Sequence, residues 1–169
     1  MSNTFTTDKV SSDVINMMIK QLGAITVKNK PAHINIYEFE VGEDLTLKYM
    51  LDIRRDHAMY LRRVTPYPML LGKFYGETDV VEFIKRDLAK FRNAHKTDKL
   101  HQFLELVDNL TQFNREIEQL FLNRKVPTAA FEEFSDEMNH IRATIEQVAR
   151  ECPMLYDEET QLNIGHDEL

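Results

Sequence analysis

The fold is decided by the stretch YEFEVGEDLTLKYMLDI, residues 37–53, in which apolar and polar residues alternate on both sides of a short turn. Alternation with a period of two is typical of a half-buried strand, and a Gly-containing linker of three residues is typical of a hairpin. If Val41 pairs with Leu45, every large apolar residue of the hairpin lies on one face, and Glu38 lies opposite Lys48 on the other. The stretch therefore predicts an antiparallel β-hairpin.

The segments on either side of the hairpin add further elements. Apolar residues at helical spacing predict a helix over 13–22, ended by Gly23. A third strand is expected over 57–64, although its apolar side chains fall on both faces and leave the inward face undecided. The stretch 69–76 is predicted as either a short edge strand or a loop that covers the sheet.

Near residue 78 the spacing of apolar residues changes from two to three or four, which predicts helices from there to residue 152. One stripe runs from Val80 to Phe91 and another from Leu100 to Phe121, so that 79–123 is one helix or two. The last stripe steps alternately by three and four residues, which is a heptad seam. A short linker at Pro127 favours an antiparallel helical hairpin. The last stripe consists of Phe131, Phe134, Met138, Ile141, Ile145, Val148 and Cys152.

These patterns together predict an α+β fold. A small antiparallel sheet of about three strands, residues 33–64, follows an N-terminal helix and precedes a bundle of two or three long amphipathic helices over 79–152. We expect a single domain over 1–156 and an acidic, flexible tail over 157–169, which holds five carboxylate side chains and no Lys or Arg.

Composition excludes several classes of protein. The net charge of −7 argues against a surface that binds nucleic acid or anionic membrane throughout, and no apolar run approaches the ~20 residues of a membrane span. A single cysteine allows no intramolecular disulfide, and no signal peptide is readable. We therefore expect a soluble cytoplasmic protein. The final His166-Asp-Glu-Leu169 matches an endoplasmic-reticulum retention signal, but we interpret it as the end of the acidic tail.

Most recognisable catalytic motifs are absent from the sequence. It contains no Gly-x-Gly-x-x-Gly, no phosphate-binding loop, no His-Glu-x-x-His and no nucleophile elbow, so no cofactor and no catalytic residue is predicted. Cys152 continues the heptad seam and is expected to be a buried structural thiol.

A weak metal hypothesis rests on Glu137 and His140, which are three apart and share a helix face. Carboxylate-bridged iron proteins use this spacing on two helices, whereas this chain has it once. Glu116 could supply a third ligand in an antiparallel hairpin. Ordinary helix-surface charge accounts for all three residues, so we predict no metal site.

A basic island between residues 45 and 76 is the remaining feature that could form a binding site. Basic side chains are interleaved with aromatic rings there, as at sites that hold phosphates and stack bases. Arg62 and Arg63 are adjacent in a strand and must point to opposite faces, which argues against one platform that uses both. The candidate ligand- or partner-binding residues are Arg54, Arg55, His57, Tyr60, Arg62, Arg63, Tyr67 and Lys73.

We interpret the protein as a non-enzymatic interaction factor, an adaptor, regulator or assembly factor that binds a protein partner or a second copy of itself through its helical half. One alternative is an enzyme or small anionic-ligand binder with an arginine and tyrosine cluster between sheet and helices. A pocket that contains two of the arginines would favour it, whereas dispersed arginines would favour the interaction factor. A second alternative is a nucleic-acid-associated protein that uses the basic island over 48–73.

Overall fold

The computed structural model describes residues 4–28 and 32–155, which divide into two compact units, Met1–Ala32 and His33–Leu169. The predicted acidic tail and the C-terminal tetrapeptide lie outside the described residues. No helix in the described ranges is long and apolar enough to cross a membrane.

The first unit contains a single helix, α1, over Thr4–Gln21. The prediction placed its start at residue 13, so the helix begins nine residues earlier than the apolar pattern indicated. At its C-terminal end Gly23 adopts a left-handed backbone with φ of 97°. The amides of Leu22 and Ala24 bond to the carbonyls of Met18 and Ile19, which satisfies the last turn.

The second unit begins with a four-stranded antiparallel sheet in the order β1-β2-β3-β4. Lys48 Nζ lies 2.7 Å from Glu38 Oε1, as the predicted hairpin register requires. The stretch predicted as either an edge strand or a loop is the fourth strand. The strands are β1 Ala32–Gly42, β2 Leu45–Arg54, β3 Met59–Thr65 and β4 Met69–Phe74.

One face of the sheet forms the core with the next helix, α2, over Glu77–His95. The two central strands direct alternate side chains toward α2, and Leu47, Tyr49 and Leu61 are fully buried. On β3 the inward residues are Met59, Leu61 and Arg63, which settles the face that the sequence left open. The helix contributes Val80, Ile84, Leu88 and Phe91, the stripe predicted from its spacing.

Two long helices follow, α3 over Leu100–Asn123 and α4 over Thr128–Glu151. The segment 79–123 is therefore two helices. At the connection between α3 and α4 the rings of Phe121 and Phe131 meet edge to face, with centroids 5.9 Å apart. The arrangement is the predicted α+β fold, with an N-terminal helix, an antiparallel sheet and three long helices.

Candidate functional site

A charged network lies inside the sheet and helix core. Asp87 of α2 accepts a hydrogen bond of 2.7 Å from the Tyr49 hydroxyl and two from the Arg63 guanidinium, of 3.3 Å from Nε and 3.1 Å from the terminal nitrogen NH2. The side chains of Arg63 and Asp87 are 5% and 8% exposed. Charges removed from water to this degree require pairing and hydrogen bonds. The Asp87 carboxylate supplies the pairing and two of the hydrogen bonds, whereas Nη1 of Arg63 is buried without a hydrogen-bond partner among the described residues.

The surroundings of Arg63 and Tyr49 indicate a structural role for this network. The guanidinium stacks over the rings of Tyr67 and Phe91, at 4.8 Å and 4.6 Å from their centroids. Burial, together with the neighbouring Asp87 carboxylate, raises the pKa of the Tyr49 hydroxyl far above its ordinary value. Tyr49 therefore remains a neutral donor that helps to hold the carboxylate in place.

Asp87 was not among the residues singled out from the sequence, although a signal for it exists. It lies three residues after Ile84 and four before Phe91, on the apolar face of α2. An acid on that face requires a cation on the facing layer, and Arg63 on an otherwise apolar strand face is such a cation. The two positions are 24 residues apart, so neither local pattern identified the pair.

The opposite face of the sheet carries most of the basic island. The Arg54 guanidinium lies 4.0 Å from the Tyr60 ring centroid, and Lys73 Nζ lies 4.6 Å from that of Tyr75. A hydrogen bond with Tyr75 raises the pKa of Lys73. Arg54 also bonds to Asp52 at 3.3 Å, so an acid partly neutralises the cluster.

The other predicted binding residues are dispersed. Arg55 and His57 are exposed in the turn between β2 and β3, where His57 has a φ of 61°. Among the eight predicted binding residues, Arg63 and Tyr67 pack against α2, whereas Arg54, Tyr60 and Arg62 belong to the other face.

One shallow depression of about 330 Å³ is lined by both Arg62 and Arg63, together with Pro68, Met69 and Leu70. It contains two of the predicted arginines, which is the feature expected of an anionic-ligand site. The Arg63 guanidinium, however, is already bound by Asp87 and two aromatic rings. What remains for an anion is Arg62 and the buried Nη1 of Arg63, which has no hydrogen-bond partner among the described residues.

The three metal candidates are not brought together. Glu116 accepts a hydrogen bond of 2.9 Å from Gln112 on its own helix, and Glu137 and His140 are exposed on α4. In the described ranges no three His, Cys, Asp or Glu side chains are placed to hold one metal ion.

The most conspicuous surface of the second unit is the heptad seam of α4. Every residue from Ser135 to Leu155 is exposed, and α4 contains no buried residue within the described chain. Cys152 is exposed as well, so the expectation of a buried thiol was wrong. The heptad phase had placed Cys152 on an apolar face, but no element of the described chain covers that face. The exposed fractions along the seam are 41% for Phe131, 39% for Met138, 45% for Ile141, 62% for Ile145 and 49% for Val148.

Helix α3 presents a similar uncovered face. Its exposed apolar residues step by three and four from Phe103 to Phe113, and three consecutive ones follow near its C-terminal end. None of the α3 residues, all of which the structure describes, is buried. Its first turns contact the core, where Phe103 meets Tyr67 edge to face at 5.7 Å. The exposed apolar residues of α3 are Phe103, Leu106, Leu110, Phe113, Leu120, Phe121 and Leu122. We refer to these residues and the α4 seam together as the helical surface.

Comparison of the chain with protein-family models, with curated proteins and with solved structures finds no match. The function is therefore argued from the geometry of this chain.

Proposed function

We propose that this protein is a non-enzymatic interaction factor, an assembly or regulatory protein, whose helical surface binds another polypeptide chain. The observation that supports the proposal is the uninterrupted exposure of α4 from Ser135 onward, along a helix whose apolar residues form a heptad seam. A heptad seam is a pattern that packs against another helix.

The stability of α4 also supports the proposal, because this helix needs a surface that covers its apolar face. From Ser135 onward α4 is exposed throughout, and its one ring contact with α3, between Phe121 and Phe131, is at its start. A helix that lacks tertiary packing over most of its length gains little stability from its backbone hydrogen bonds alone, because they barely offset the conformational entropy lost. Apolar side chains stabilise such a helix only when another surface covers them. Two such helices in sequence, each amphipathic and each uncovered, are expected to gain their stability from association.

The size of the helical surface also supports the proposal. Twelve of its large apolar side chains are exposed, by between 38% and 70% each. At roughly 80 Å² each they offer on the order of 1,000 Å², compared with about 800 Å² per partner in an interface of standard size. Large exposed apolar areas often mark interaction sites.

The test is affinity capture from native lysate with three versions of the full chain: wild type, Ile141→Glu in the seam, and Ala143→Glu on the far side of the same helix. The mass of the intact complexes is measured, and co-purifying protein, nucleic acid and metal are quantified together. We expect a stoichiometric protein with the wild type and with Ala143→Glu, and its loss with Ile141→Glu.

Capture that does not distinguish Ile141→Glu from Ala143→Glu would contradict the proposal, since both variants add the same charge to the same helix. Stoichiometric metal or nucleic acid in place of protein would contradict it as well.

A second candidate function, nucleic-acid association, is favoured by one observation, the basic and aromatic side chains of Arg54, Tyr60 and Lys73 on the sheet face opposite α2. It is the weaker candidate because the guanidinium of Arg54 already covers the Tyr60 ring and Asp52 lies beside it. Binding to a fluorescent single-stranded oligonucleotide would have to fall steeply with salt. Binding that is absent or insensitive to salt removes this candidate.

A further inference from the structure

We infer that the chain bound at the helical surface is a second copy of this protein, and that the two α4 helices lie parallel to each other. This inference rests on the proposed function and specifies its partner. Three features of α4 support it: the charges beside the seam, the position of the remaining charges, and the area on offer.

The first feature is charge complementarity across a two-fold axis. If Phe131 is heptad position a, Glu137 is a g position and Arg142 is the following e position. In a parallel coiled coil, g of one helix meets the next e of the other. A parallel pair therefore sets Glu137 of each chain against Arg142 of the other and forms two equivalent ion pairs.

Neither residue has such a partner among the side chains that the structure describes. Both are exposed, and none of the ion pairs among the described side chains includes Glu137 or Arg142. In an antiparallel pair, g positions lie beside g positions and e beside e, so Glu137 would not meet Arg142. The pattern thus favours the parallel arrangement.

The second feature is where the acidic excess of α4 lies. The charged residues at the e and g positions that border the seam are Glu137, Arg142 and Glu151, so the charge beside the seam nearly cancels. The remaining acids lie at outer heptad positions, where they stay in water when two copies meet. These outer acids are Glu132, Glu133, Asp136 and Glu146.

The third feature is the area. A second copy brings identical α3 and α4 helices. A contact that includes the exposed apolar residues of both helices would cover on the order of 1,000 Å² of each chain, which meets the requirement of a stable two-fold dimer.

The single cysteine provides a reporter of direction. Cys152 is exposed and continues the a positions of the seam past the end of α4. In a parallel pair the two thiols lie side by side, whereas in an antiparallel pair they are on the order of 30 Å apart, since a helix rises 1.5 Å per residue.

The experiment uses the purified full chain at micromolar concentration. Intact-complex mass and sedimentation give the number of copies, and a short bis-maleimide tests the proximity of the thiols. We expect twice the chain mass and a cross-linked dimer, with Cys152→Ser as the uncross-linkable control.

Two sets of variants test the interface itself. Ile141→Glu is expected to weaken dimerisation by at least about thirty-fold, as for a central interface residue, while Ala143→Glu leaves it unchanged. Glu137→Arg or Arg142→Glu alone should weaken it by about three- to ten-fold, and the double charge reversal should restore it. Circular dichroism of each variant verifies that the sheet half remains folded.

The possible failures are distinguishable. In one, the protein is monomeric while the wild type still captures a stoichiometric protein from lysate that Ile141→Glu does not capture. That result would overturn the inference of a second copy and leave the proposed function in place. A dimer without the thiol cross-link, or without rescue by the double reversal, would overturn the parallel arrangement. A monomer with no seam-dependent partner would overturn both proposals.

Discussion

The second unit contains amphipathic helices of two kinds: α2, whose apolar face is buried against the sheet, and α3 and α4, whose apolar faces are exposed. We call the sheet with α2 the sheet half, and α3 with α4 the helical half. The apolar stripe of α2 is covered by the sheet, and Val80, Ile84, Leu88 and Phe91 are each less than 9% exposed. The seam of α4 is at least as regular, yet Ile145 is 62% exposed. The comparison shows that apolar periodicity predicts which face of a helix packs against another surface. It does not show whether that surface belongs to the same chain or to another one.

The largest effect is expected from Asp87→Ala in the sheet half. It leaves the Arg63 charge buried without its partner and removes the acceptor of Tyr49, which costs about 3–5 kcal/mol of the free energy of unfolding. Urea denaturation measures this loss. Asp79→Ala, an exposed acid in the first turn of the same helix, is the control and should cost at most about 1 kcal/mol.

The contrast between the halves is tested most directly by Leu47→Ala and Ile145→Ala. Leu47 is fully buried, so its truncation should cost about 2–5 kcal/mol. Ile145→Ala should cost about 2 kcal/mol if a partner covers the seam, and less than about 0.5 kcal/mol if nothing does.

Denaturation followed by circular dichroism at two protein concentrations separates these outcomes. An effect of Ile145→Ala that depends on concentration supports a covered seam. A negligible effect at both concentrations would remove the contrast on which the proposed function depends.

A smaller effect is expected from Tyr49→Phe. The substitution removes one hydrogen bond to the buried carboxylate and leaves the ion pair with Arg63 intact, at a cost of about 1.5–3 kcal/mol. The free energy of unfolding, measured beside Asp87→Ala, should show the smaller loss for Tyr49→Phe. Equal losses would mean that the hydroxyl, rather than the ion pair, holds the network together.

The smallest effect concerns Asp44, whose carboxylate lies 3.0 Å from His95 at the end of α2. This hydrogen bond lowers the pKa of Asp44 below its ordinary value of 3.8. The contact therefore stabilises the fold above that value and is lost as pH falls through the lower folded-state pKa. The stability difference between wild type and Asp44→Asn should shrink in this acidic range. A difference that is constant with pH would contradict the assignment.

Much of the fold could be predicted from local patterns. Residues 37–53 alternate cleanly because one face of the hairpin is buried, and the stripe of α2 follows from its own spacing. The sequence did not decide whether β4 was a strand or a loop, because Pro66 and Pro68 precede it and Gly72 lies within it. Its pairing with β3 is irregular beside Gly72. The start of α1 was missed because its first turns, from Thr4, are polar and carry little apolar period.

The sites were harder to predict because they depend on distant residues. The inward position of Arg63 is stable only because Asp87 lies on α2, and no local rule reveals such a pair. Arg62 and Arg63 do face opposite ways, as strand geometry requires, so one is exposed and the other buried. The exposure of the α4 seam could not be predicted, because a heptad pattern does not show whether the surface that packs against it belongs to the same chain.

The tip of the β1–β2 hairpin leaves no room for a side chain at position 42. The His95 ring occupies the space that a Cβ there would fill, so even alanine at Gly42 would displace the imidazole. The ring is the outer end of a flexible, partly exposed side chain and can move aside, at the expense of its contact with Asp44. The absence of a side chain at Gly42 therefore lets the end of α2 dock against the hairpin tip.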